Sequence, residues 1–138
     1  MRRAGRSAAT ILDRLCSFIR PGMSTLEVDE AGGDLMKDLG VKSACKGYRS
    51  GHRIFPSYTC LSVNDEVVHG IGVKERILKD GDVISVDVCI REDGMIGDNC
   101  RTIGVGAVSP EVERLLKVTE ESLFKGMAQA LHKNRVGD

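Results

Sequence analysis

An α+β fold, with an antiparallel sheet and helices packed on one of its faces, is what three observations predict. Two runs rich in β-branched residues, Val83–Ile90 and Cys100–Val105, flank Asp93-Gly94, a strong two-residue hairpin signal. Three other stretches carry apolar residues at helical spacing and are bounded by recognisable caps. The chain has 138 residues, 41% of them hydrophobic, which suits a single domain spanning residues 1–138 around one core.

Ser7–Ile19 places Ala8, Ile11, Leu12, Leu15 and Ile19 on one helical side, and Arg20, Pro21 and Gly22 stop it. Ser24 followed by Glu27 is a capping box opening a second helix, with Val28, Ala31, Leu35 and Leu39 as its stripe and Gly40 as C-cap. Gly32 and Gly33 inside that helix each cost about 1 kcal/mol relative to alanine, so another backbone is expected to pack closely there. Residues 41–48 read as a short strand running into a loop. Residues 49–55 are polar and read as exposed loop. Tyr58–Val63 is a strand by composition, broken at Asn64-Asp65. Ser109, Pro110 and Glu111 start a third helix, whose stripe of Val112, Leu115, Leu116, Thr119, Leu123, Met127 and Leu131 runs to His132-Lys133.

With Asp93-Gly94 as the loop, Glu92 faces Met95, Cys89 faces Asp98 and Asp87 faces Cys100. Side chains alternate with period two, so Asp87 and Asp98 share one face as diagonal neighbours about 7–8 Å apart at Cα. Ile84, Val86, Val88 and Ile90 fill the other face. Two carboxylates so placed can share a pair of cations about 3.5–4 Å apart. The alternative is structural: Asp87 pairs with an arginine and Asp98 starts a turn. A one-residue change in the loop would put the two aspartates on opposite faces.

His69 lies in a turn ahead of Gly70 and Gly72, where a role in binding or chemistry competes with simple exposure. His52 is read as solvated. Cys45, Cys60, Cys89 and Cys100 with His69 match no common zinc spacing. As free thiols they behave as small apolar groups. No serine sits in a nucleophile elbow, and Gly104-Val105-Gly106 is not a phosphate loop.

Twenty basic residues balance twenty acidic ones and aromatics are 4%, giving no support for a nucleic-acid or anionic-membrane partner. No apolar stretch is long enough to span a bilayer, and Met1-Arg2-Arg3 is not followed by a signal-peptide core. Five cysteines without a CxxC pair suggest reduced thiols in a cytoplasmic protein.

The runs SACKGY (43–48), FPSYTCLSVNDEVVHGIG (55–72) and LKDGDVISVDVCIREDGMIGDNCRTIGVG (78–106), with RAGRSAATIL near the start and ERLLKVTEESL at 113–123, closely resemble type I methionine aminopeptidases. The resemblance implies the first half of a two-fold "pita-bread" fold. It implies Asp87 and Asp98 as metal-bridging carboxylates, and His69 as a catalytic histidine contacting substrate. Cys45, Tyr48, Phe55 and Cys60 would line a methionine pocket, with Phe55 where a tyrosine is usual, and Asn64 would fall at a monovalent-cation site. It further implies two divalent ions (cobalt, manganese, iron or zinc), the N-termini of nascent polypeptides as substrates, and the ribosome as a possible partner. The family's remaining ligands, one histidine and two glutamates, find no match in these residues. The expected function is therefore metal-dependent removal of N-terminal methionine with part of the site on this chain. The alternatives are an inert half-domain that binds or self-associates through an uncovered surface, and, against the sulfur-lined pocket, a proline-specific dipeptidase relative.

Overall fold

The computed structural model describes residues 1–137. Three helices and six strands follow in the order α1 (Arg2–Phe18), α2 (Thr25–Asp38), β1 (Lys42–Ser43), β2 (Arg49–Ser50), β3 (Arg53–Ile54), β4 (Cys60–Val63), β5 (Val83–Glu92), β6 (Met95–Gly104) and α3 (Pro110–Ala128). Strand β5 is the spine of the sheet. It pairs with β6 along one edge and with β1 and then β4 along the other, all antiparallel.

The β5–β6 register is the one the turn chemistry predicts: Glu92 opposite Met95, Cys89 opposite Asp98, Asp87 opposite Cys100. Asp93 and Gly94 both take positive φ, 48° and 77°. That is the backbone twist a two-residue hairpin loop needs, and it fixes which residues face which side. Ile84, Val86, Val88 and Ile90 are fully buried on one face. Helix α1 covers them with Ala4, Ala8, Ile11, Leu12 and Leu15, and Val28 and Met36 of α2 complete the same core.

Helix α1 begins at Arg2 rather than Ser7 because its first turns are tied to the hairpin. Ser7 Oγ donates to Glu92 at 2.8 Å, Arg3 pairs with Glu92 at 2.7 Å and with Asp93, and Asn99 Nδ2 donates to the Gly5 carbonyl at 3.2 Å. Gly97 makes the close approach possible. A Cβ there would fall on the Ala4 carbonyl and the Gly5 nitrogen.

Helix α2 has the predicted capping box, with Ser24 Oγ accepting from Glu27 N at 3.2 Å and Glu27 accepting from Ser24 N at 2.7 Å. Of the predicted stripe Val28 is fully buried, Ala31 and Leu35 pack half-buried against the core and Leu39 is exposed, while Thr25, Asp29, Gly32 and Met36 widen the buried side of the helix. The neighbours of its glycines are side chains, not the backbone expected: Thr59 and Leu15 at Gly32, the Tyr58 ring at Gly33.

Two further expectations are corrected. Residues 49–55 include a small hairpin, with Ser50 paired to Arg53 and Arg49 to Ile54. Helix α3 starts on the predicted Ser109 cap but stops at Ala128, with Gln129 as C-cap, three residues before His132. None of its residues is buried, so the helical layer over the sheet consists of α1 and α2.

Candidate metal and substrate site

The face of the sheet turned away from α1 collects the chemistry. Antiparallel pairing sets Cys60 of β4, Asp87 of β5 and Cys100 of β6 side by side, and Cys89 opposite Asp98 one step along. Ser62, Ser85 and Thr102 continue that face, with the Ser85 and Thr102 hydroxyls hydrogen-bonded at 2.7 Å. Asp87 is half-buried among these residues and Asp98 is exposed beside it.

Asp87 has no arginine partner. Its Oδ1 is buried and makes no hydrogen bond, while Arg101, the nearest arginine in sequence on β6, pairs with Asp13 on the other face at 2.8 Å. Asp98 lies within β6 and starts no turn. Burial, and next the negative charge of Asp98, raise the Asp87 carboxyl to about 6, against a smaller lowering by His69. A carboxylate that is desolvated, repelled by its neighbour and short of a hydrogen-bond donor is a site a cation would satisfy. The residues therefore fit a divalent cation held from one side by Asp87 and Asp98. Among the described residues, no group of three or more His, Cys, Asp and Glu side chains converges closely enough to enclose one.

His69 is exposed at φ 60°, a left-handed backbone that costs about 1–2 kcal/mol outside glycine. The turn around it is anchored to β4. Leu61 N donates to the Gly70 carbonyl at 2.9 Å, and Gly70 N donates to Ser62 Oγ at 3.1 Å. A Cβ on Gly70 would overlap the Leu61 carbonyl, so only glycine lets the turn lie this close. His69 is thereby held near enough for its charge to act on Asp87.

Of the four predicted pocket residues, Cys45 and Cys60 are brought close: Ser43 Oγ ties Cys45 N to the Tyr58 carbonyl, two residues before Cys60. Their interaction lowers the Cys45 thiol and raises Cys60, whose burial pushes in the same direction. Burial, followed by Asp98, pushes the Cys89 thiol up to about 12. Tyr48 and Phe55 are joined through the backbone, with Phe55 N donating to the Tyr48 carbonyl and Gly47 N to the Phe55 carbonyl, both at 2.9 Å. The Tyr48 side chain is 65% exposed, and Phe55 is half-buried. Asn64, at φ 57°, bridges two segments: its amide accepts from Val83 N and donates to Asp82, both at 2.9 Å.

Two positioning residues escape sequence reading. Asp29, 4% exposed on α2, accepts from Tyr58 N at 3.1 Å and from both Thr59 N and Thr59 Oγ1 at 2.8 Å, and so fixes the entry to β4 just before Cys60. Ser43 donates to the Tyr58 carbonyl at 2.7 Å and accepts from Cys45 N and Lys46 N at 3.1 and 3.0 Å. The one available signal was an aspartate directly beside Val28 on the helix's apolar side; Ser43 carried none.

Comparison with known proteins agrees with this arrangement. The family model for metallopeptidase family M24 matches residues 1–138. The chain is 40% identical to methionine aminopeptidase of Clostridium acetobutylicum over 138 residues, covering all of this chain and 54% of that protein. It is 43% identical to methionine aminopeptidase 1 of Bacillus subtilis over 130 residues, covering 94% and 50%. The crystal structure of methionine aminopeptidase from Thermotoga maritima superposes with a TM-score of 0.86 at 37% identity, over 95% of this chain and 51% of that one. The chain thus spans about half the length of the relatives it matches, and its sheet and helices have the arrangement of half a pita-bread fold. With the family model matched end to end and the aspartate-bearing hairpin in register, the chain belongs to metallopeptidase family M24.

Proposed function

We propose that this chain supplies one side of the site of a methionine aminopeptidase, which removes the N-terminal methionine of nascent polypeptides by metal-dependent hydrolysis of the first peptide bond. The observation that carries the reading is Asp87: a buried, unpaired carboxylate oxygen on the same sheet face as Asp98. Asp87 and Asp98 would hold the divalent ions, which when bound lower the pKa of a coordinated water and polarise the scissile carbonyl. His69, fixed on its left-handed turn, would stand over that face to contact the substrate and hold or pass a proton at the imidazole. Cys45 and Cys60 offer soft, polarizable sulfur to an unbranched thioether side chain, and Phe55 and Tyr48 lie along the adjoining loop.

A second reading is favoured by one specific observation, the lack of a third converging ligand among the described residues. On that reading the chain binds metal weakly and does not hydrolyse peptides by itself. Two measurements separate them. Water-proton relaxation with manganese reports binding by the 138-residue chain, expected to be weak and lost in Asp87→Asn. Equal relaxation in both proteins would remove the metal assignment. Release of methionine from a Met-Ala-Ser peptide with manganese or cobalt, abolished by Asp87→Asn, would show that this side of the site suffices. Binding without release selects the second reading.

No helix among the described residues is long and apolar enough to cross a membrane. Ribosome association and a cytoplasmic setting belong to the same proposal and follow from the substrate it names.

A further inference from the structure

Five cysteines are reduced in this structure, and they are not equivalent. Cys16 lies on α1 beside Arg101 and Asp13, across the sheet from the others. Cys89 stands opposite Asp98 on β6, and Cys100 is exposed on the edge strand β6. Cys45 and Cys60 lie on two segments clasped side by side along one edge of β5.

Their proximity is built by the backbone. Strands β1 and β4 pair in succession along the same edge of β5, with Ser43 opposite Ile90 and Cys60 opposite Asp87. Ala44 N donates to the Cys89 carbonyl at 2.9 Å, which carries the turn after β1 along that edge. The Ser43 hydroxyl then clasps the two segments: it donates to the Tyr58 carbonyl at the entry to β4 and accepts from Cys45 N and Lys46 N. Cys45 is held beside Cys60 by four hydrogen bonds that involve neither sulfur, one between backbones and three through the Ser43 hydroxyl. One thiol is partly exposed and the other buried, so an oxidant reaches Cys45 first.

We propose that Cys45 and Cys60 are a peroxide-responsive dithiol that closes to an intramolecular disulfide between the β1 turn and β4. The Cys45 sulfur attacks one oxygen of hydrogen peroxide, forming an S–O bond as the O–O bond breaks, and the departing hydroxide takes up a proton as water. The Cys60 sulfur then attacks the Cys45 sulfenic acid. An S–S bond forms, the S–O bond breaks, and the hydroxyl leaves with the Cys60 proton as a second water. Two thiols lose two electrons and one peroxide gains them. The pairing depends on sulfur placement alone and stands whether or not this face binds methionine.

Peptide mapping of the 138-residue chain tests it, because trypsin cuts after Lys42, Lys46, Arg53 and Lys74 and separates the two sulfurs into peptides 43–46 and 54–74. The reduced chain is treated with hydrogen peroxide, alkylated with iodoacetamide and digested without reductant. The expected result is a crosslinked 43–46/54–74 pair that dithiothreitol abolishes. The alkylated forms of both peptides fall in parallel, while the peptides of Cys16, Cys89 and Cys100 stay alkylated. In Cys60→Ser, dimedone should trap a sulfenic acid on Cys45; in Ser43→Ala the crosslink should form more slowly while that trapping is unchanged. Crosslinking of Cys45 to Cys89 or Cys100 instead, or full alkylation of both peptides after peroxide, overturns the proposal.

Discussion

Asp87 is costly to the protein as a free carboxylate, a cost the proposed cation would relieve. Its carboxyl is raised from 3.8 to about 6 by burial and by Asp98, so the folded chain holds a proton that the unfolded chain has already released between those values. A folded-state pKa above the unfolded one contributes stability below about pH 4, and that contribution is lost as the pH rises through 6. The group is only half-buried, so the loss is discounted for solvent screening to about 1 kcal/mol. Asp87→Asn removes it. The variant should gain a few degrees in Tm at pH 7.5 over the metal-free wild type and little at pH 4. Manganese should raise the Tm of the wild type but not of the variant. A Tm difference independent of pH would show that Asp87 is not strained by its charge.

The hairpin is the element most legible in the sequence, for a physical reason. A two-residue Asp-Gly loop forces both φ angles positive, and with period-two alternation that single turn assigns every side chain from Val83 to Gly104 to a face. The small β2–β3 hairpin was illegible because its strands are two residues long and mostly polar. Gly51 at φ 60° ahead of His52 was its only mark. The polar part of α2's buried side was hidden for a different reason: Asp29 and Thr25 are buried through hydrogen bonds to Tyr58, Thr59 and Val73, which hydrophobic spacing does not report.

The glycines at element contacts give a test of how the pieces are joined. At Gly97 an added methyl meets the α1 backbone at Ala4 and Gly5, which cannot move without lifting the whole helix from Ile84, Val86, Val88 and Ile90. Gly97→Ala should cost about 3 kcal/mol in chemical denaturation. At Gly33 the same methyl meets the Tyr58 ring at 2.8 Å, a side chain that can swing, and helix propensity returns about 1 kcal/mol. Gly33→Ala should therefore stay within about 1 kcal/mol of wild type. Equal losses at the two sites would contradict the close seating of α1 on β6.

At the scale of the molecule, the core closes between one sheet face and two helices, and α3 stands outside it. Its stripe was readable as helical, and the sequence marks that face as one needing cover; what covers it is not written in residues that pack only among themselves. Leu115, Leu123, Phe124 and Met127 are each about 60% exposed along α3, a contiguous apolar surface of the kind that drives association in water. The isolated chain should therefore self-associate, its scattering mass rising with concentration. Because these side chains bury nothing within the chain, Leu123→Lys with Met127→Lys should restore a monomer while leaving Tm within about 2 °C of wild type. A large drop in Tm would mean that the stripe already packs inside one molecule. A wild-type chain that stays monomeric across all concentrations would mean the exposed stripe is tolerated by water as it stands.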